Sequence, residues 1–135
     1  MKKTTFTATA VILIVVALAF TCLSCANSVP ENYIEKCEAV FIYGDISITY
    51  EMTEEDSKSF AEIIAGEPLY NDNPSCGFTE NVSVVVNGKD HFCIACDGCE
   101  IVYWKEKDRY ISVSEEEMKV LHEILEKYGF VFPCV

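Results

Sequence analysis

The chain predicts an α+β fold: an antiparallel sheet of about six strands with two helices on one face, in the order ββα-ββββα, stabilised by disulfides. Three observations carry this expectation. Short β-rich runs meet at Gly44-Asp45, Asn87-Gly88 and Asp97-Gly98, dipeptides whose backbone freedom suits two-residue hairpin turns. Two stretches with apolar residues at helical spacing each start behind a capping residue, Thr53 and Ser114. Six cysteines follow Ala26, an even number that suits an oxidising compartment.

The elements follow in order. Ala39–Tyr43 and Ile46–Glu51 form the first hairpin, and the alternation of Ile46, Ile48 and Tyr50 with Ser47, Thr49 and Glu51 predicts one buried face. The first helix runs behind Thr53, with Glu54, Glu55 and Asp56 in its first turn, buries Phe60, Ile63 and Ile64, and stops at Gly66 and Pro68. A 14-residue loop, Glu67–Glu80, carries Cys76, and its length implies either a staple or a function. Val82–Val86, His91–Cys96 and Cys99–Trp104 form a meander, and Arg109–Val113 adds a strand after the charged turn Lys105–Asp108. Ser114 and Glu117 form a capping box for the last helix, which buries Met118, Leu121, Leu125 and Tyr128 before Gly129. Trp104, Tyr103 and Tyr110 read most simply as core packing.

With 135 residues the chain has room for one core, placed at residues 37–135 behind a polar tether at 26–36 that contains Pro30. The N-terminus has a different character. Lys2 and Lys3 precede an unbroken apolar run from Ala10 to Phe20, followed by small residues. That order of charge, apolar run and small residues is the pattern of an export signal over residues 1–25, and the run is short for a membrane span.

Leu23-Ser24-Cys25 resembles the lipobox of bacterial lipoproteins. The resemblance covers residues 1–25 only. It implies lipid attachment at Cys25 and a place on the outer face of the cell membrane. The sequence departs from the pattern at Cys22, where an aliphatic residue is usual. Ser24 and Ala26 also suit an ordinary small-x-small cut after Ala26, which would release a secreted chain.

Cys37, Cys76, Cys93, Cys96, Cys99 and Cys134 are the disulfide candidates, with 15 possible pairings. Cys93, Cys96 and Cys99 form two overlapping C-x-x-C units, with His91 two residues upstream. A ferredoxin-type cluster would want another cysteine where Tyr103 stands. Zinc would want His91, Cys93, Cys96 and Cys99 together, and thiol exchange would want a stabilised thiolate. A regular hairpin at Asp97-Gly98 opposes both, because it sets Cys96 beside Cys99 and sends Cys93 to the other face. Cross-bridging to Cys76, Cys37 or Cys134 is then the simpler use of these sulfurs.

Charge narrows the partners. Removing the signal takes two of ten basic residues and none of the 22 acidic ones, so eight bases face 22 acids and the net charge is −14. Such a surface repels nucleic acid and anionic headgroups; a cationic protein or a small ligand is compatible with it, and the lipid anchor is the only membrane contact expected. The carboxylates cluster in the first turns of the two helices, where the macrodipole favours them, and neither His91 nor His122 sits in a catalytic pattern. The expectation is a non-catalytic binding or surface-interaction module without a cofactor; the alternative is an extracytoplasmic thiol-redox or metal-handling protein using Cys93, Cys96 and Cys99.

Overall fold

The computed structural model describes residues 27–131 except Asn73 and Gly77, so the expected export signal at 1–25, the lipid-attachment candidate Cys25, and Cys134 lie outside the described residues. Among the described residues six strands form an antiparallel sheet: β1 (Cys37–Tyr43), β2 (Ile46–Glu51), β3 (Val82–Val86), β4 (Asp90–Ile94), β5 (Ile101–Trp104) and β6 (Arg109–Ser112). Their spatial order is β2-β1-β3-β4-β5-β6. Helix α1 (Glu54–Ile64) follows β2 and α2 (Glu115–Lys127) follows β6, the ββα-ββββα order predicted.

The pleat divides the sheet into two faces. Strand pairing aligns Ala39 and Phe41 of β1 with Val84 and Val82 of β3, and then Phe92, Trp104 and Val102 of β4 and β5. These residues are buried in one cluster with Phe60 and Ile64 of α1 and Met118, Leu121 and Leu125 of α2. Phe60 meets Phe92 edge-on at 5.8 Å, and Phe130 stacks on Phe41 at 5.2 Å beyond the end of α2. Truncating a phenylalanine so enclosed costs about 3–5 kcal/mol.

The opposite face carries Ser83, Val85, Cys93, Tyr103 and Tyr110, and the long loop covers part of it. Phe78 packs on Tyr103 and Tyr110 at 5.8 and 5.6 Å, Glu80 reaches Lys105 at 2.6 Å, and the Cys76–Cys99 disulfide ties the loop down. The loop is thus stapled, one of the two outcomes its length implied.

Turn and cap chemistry follow the sequence closely. Gly44 takes φ +61°, as the first position of a type II′ turn requires, and Asn87 and Gly88 take +53° and +68°, as a type I′ turn requires. The Thr53 hydroxyl accepts the Asp56 N–H at 3.1 Å, and Ser114 and Glu117 complete their capping box.

Three expectations need correction. Residues 27–36 do not form a tether: Val29 is fully buried, its N–H donates to the Glu67 carbonyl at 3.0 Å, and its carbonyl accepts from Gly66 at 2.8 Å. Asn87 holds the same segment through the N–H groups of Glu35 and Lys36 at 3.2 Å each and the Tyr33 carbonyl at 2.6 Å. Val29, Tyr33 and Ile34 supply enough apolar surface for packing to outweigh the polar composition around them.

The hairpin at Asp97-Gly98 is not regular either. Ile94 pairs with Val102 and Cys93 with Tyr103, one residue away from the register that would oppose Cys96 to Cys99. Cys99 turns to Cys76, Cys96 turns into the main core, and residues 95–100 form a loop. Lastly, β2 has no buried face. Every residue in it is exposed except the half-buried Ile48, because β2 is the outermost strand and pairs on one side only.

Candidate interaction surface

The cysteines separate into distinct environments. Cys76 and Cys99 are joined, whereas Cys37 and Cys93 are buried free thiols and not members of a disulfide framework. Burial pushes the Cys37 thiol up to about 11, against a lowering hydrogen bond from Ser57. Cys93 rises to about 12, through burial first and then the nearby Glu80 carboxylate. A thiol held protonated in this way is a poor nucleophile and a poor metal ligand. Cys96 is buried in the main core, with its sulfhydryl directed at the Ile94 carbonyl at 3.6 Å.

The tetrad His91, Cys93, Cys96 and Cys99 is therefore not assembled. Cys99 belongs to the disulfide, Cys93 and Cys96 lie in different layers, and the His91 ring contacts Glu106 at 2.7 Å while its backbone N–H donates to the same carboxylate. The His122 Nε2 lies 3.0 Å from the Ala95 carbonyl, the geometry of a donor that pins the 95–100 loop to α2. Among the described residues, one grouping of ligand types remains: Cys76, Asp97 and Cys99, with ligand atoms within 4.8 Å of one another. Its two sulfurs are bonded to each other.

The buried carboxylates are structural. Asp90 accepts from the Trp104 indole at 3.0 Å and from the Tyr33 hydroxyl, and burial first, then this pairing, raises the Tyr33 phenol to about 12. Burial works to raise the Asp56 carboxyl, but hydrogen bonds from Lys127, Tyr128 and Thr53 outweigh it and hold the group below its ordinary range. A cleft of about 520 Å³ beside α2 is lined by Glu100, Glu115, Glu123 and Glu126 around Met118 and His122. No helix among the described residues is long and apolar enough to cross a membrane.

The outer edge at β2 differs from these regions in carrying exposed apolar surface. Tyr43, Ile46 and Tyr50 are 52%, 63% and 46% exposed, large values for side chains of this kind in adjacent strands. Tyr43 pairs with Ile46, Phe41 with Ile48 and Ala39 with Tyr50, which places all three on the helix side of the sheet. Tyr50 leans on Tyr128 at 6.3 Å. Next to Tyr43 opens a groove of about 420 Å³ lined by Ile42, Val82, Phe130 and Val131, the last of these 77% exposed.

The two sheet edges are treated differently. At β6, Tyr70 exchanges backbone hydrogen bonds with Tyr110 at 2.8 and 3.0 Å, so the long loop covers that edge at its middle. Among the described residues nothing pairs with β2 on its outer side. Sequence reasoning missed this surface because the alternation in β2 matches that of a half-buried strand, and period-two patterning is silent about whether a helix lies over the apolar face. No protein-family model, no curated protein and no solved structure matches the chain.

Proposed function

We propose that this protein is an exported, non-catalytic binding module, held on the outer face of the cell membrane through Cys25, whose contact surface is the β2 edge. The observation that carries the binding role is the apolar shelf of Tyr43, Ile46 and Tyr50 beside an unpaired strand edge. Exposed apolar surface concentrated beside free backbone donors and acceptors is a recognition surface or an aggregation hazard, and export at high net negative charge argues for the former. The charged N-terminus, the apolar run and the Leu23-Ser24-Cys25 sequence support export and anchoring, and the Cys76–Cys99 bond is consistent with an oxidising compartment.

The non-catalytic part of the reading rests on how the reactive groups are used. The Cys37 and Cys93 thiols are buried and held protonated, and both histidines are engaged in structural contacts. A thiol-based reading keeps one foothold: the Cys76–Cys99 bond is half-buried, with Asp97 beside it, and a dithiol reductant would open it to thiol chemistry.

Photocrosslinking in the native host tests the proposal. A photoreactive residue at Ile46 is expected to capture a protein partner that the same residue at Glu62, on the exposed side of α1, does not capture. Intact mass of the mature chain is expected to show lipid on Cys25. Equal capture from both positions, or from neither, refutes the β2 surface, and an unmodified mature terminus refutes the anchor.

A further inference from the structure

The shape and chemistry of the β2 edge specify what kind of partner it takes, an inference that rests on the binding reading above. The hairpin Tyr43-Gly44-Asp45-Ile46 closes with Tyr43 opposite Ile46. In a two-residue hairpin that closing pair exchanges both of its backbone hydrogen bonds, and bonded and non-bonded pairs alternate from there. Along β2 the backbone groups of Ile46, Ile48 and Tyr50 consequently face β1, and those of Ser47, Thr49 and Glu51 face outward. Their outward N–H and C=O groups are a template for another strand.

Charge selects among the strands that would fit. From Gly44 to Ser57 the chain carries Asp45, Glu51, Glu54, Glu55 and Asp56 and no basic residue; Glu51 shares Lys36 at 3.3 Å and the buried Asp56 pairs with Lys127, and five acids against these two lysines leave the edge acidic. Natural edge strands are commonly blunted by lysine, proline or a bulge, and β2 has no lysine and no proline. Its protection is acidic. Were two copies to pair antiparallel about Ile48, the register that matches their apolar faces, Asp45 of each would lie opposite Glu51 of the other. Like charges opposed across strands are destabilising, and each chain brings a net charge of −12. The same acids attract a basic strand.

We propose that the outer edge of β2 binds an extended, basic segment of another protein as a seventh strand of the sheet. Alternate apolar side chains of that segment lie on the helix side beside Ile46, Ile48 and Tyr50, and its lysines or arginines lie toward Asp45 and Glu51. Backbone pairing supplies the docking mode, the shelf supplies apolar burial, and the acids at the two ends of β2 select the sign of the partner.

The probe is a blocked peptide of about nine residues alternating valine with lysine, compared with one in which glutamate replaces lysine. Amide hydrogen exchange of the mature chain is expected to slow at Ser47, Thr49 and Glu51 with the lysine peptide and not at Ile48 or Tyr50, which are already paired. The glutamate peptide is expected to bind at least roughly tenfold more weakly. Thr49→Pro removes an outward donor at an edge position that tolerates proline and is expected to abolish binding. If that variant does not fold, Ile46→Lys adds a repelling charge at an exposed site and is expected to weaken the lysine peptide by a similar factor.

Equal binding of both peptides overturns the basic class, and binding without protection at Ser47 and Thr49 overturns strand addition. Concentration-dependent protection of these amides without peptide overturns the proposal in favour of a second copy. Capture from Ile46 in the host combined with indifference to both peptides sinks this inference and leaves the binding reading intact. Absence of both sinks the two together.

Discussion

Ser83 and Cys93 face each other across β3 and β4 on the loop-covered side of the sheet. The Ser83 hydroxyl is buried without a hydrogen-bond partner, a group that costs stability where it stands. Cys93 is a neutral thiol in a buried setting, with a folded value near 12 against an ordinary value of about 9. The sign of its linkage follows. Well below the ordinary value of about 9 the thiol is protonated in both states and contributes no pH dependence, whereas as pH rises through that value the unfolded chain ionises and the folded one does not. Stability is therefore expected to fall as pH rises above that value. Cys93→Ala should lower stability near neutral pH, yet give a shallower alkaline decline in urea midpoints; an unchanged alkaline slope would mean that Cys93 titrates normally in the fold.

At the scale of elements, the two helices are joined at their ends by Asp56. This carboxylate caps its own helix through Thr53, accepts from the Tyr128 hydroxyl at 2.8 Å, and pairs with Lys127 at 2.6 Å at the end of α2. The Thr53 N–H in turn donates to the Tyr128 hydroxyl at 2.8 Å. Because the folded pKa is lowered, the stabilisation is fully present above the unfolded carboxylate value of about 4 and is lost as pH falls through the lower folded value. Asp56→Asn keeps the shape and part of the hydrogen bonding. It is expected to cost about 1–3 kcal/mol at neutral pH and to flatten the acid limb of the stability profile. Chemical denaturation at pH 7 and pH 3 measures both effects, and a variant whose deficit is the same at both pH values would remove the charge from this account.

For the whole molecule, the disulfide and the β6 edge act together. The bond between Cys76 and Cys99 joins residues 23 apart in the chain, and the loop it holds covers Tyr103 and Tyr110 while Tyr70 completes the sheet at β6. Closing a loop of this size contributes about 3 kcal/mol through the unfolded state. The variant Cys76→Ser is expected to lose that amount and to speed hydrogen exchange on β6 more than on β1. A loss of stability without a change in the exchange pattern would assign the bond to the unfolded state alone. One edge is thus closed by the chain itself, and among the described residues the other is left open.

Much of this architecture is written in local residues. Glycine or asparagine at positive φ at Gly44, Asn87 and Gly88, caps at Thr53 and Ser114, and apolar spacing in the two helices are short-range rules, and they determined strand number, helix number and order. The sequence also showed that Cys76 lay in a loop needing an explanation. Tertiary structure decided matters that no local pattern contains. Placing β1 between β2 and β3 made β2 an edge, so the Ile46-Ile48-Tyr50 stripe became a surface although its period is that of a core. A one-residue offset after Ile94 accompanies the placing of Cys93, Cys96 and Cys99 in three environments, so the tetrad with His91 is not assembled. Packing of Val29 and Tyr33 turned an apparent tether into part of the domain. Periodicity specifies which side chains share a face, and only the arrangement of neighbouring elements specifies whether that face meets protein or water.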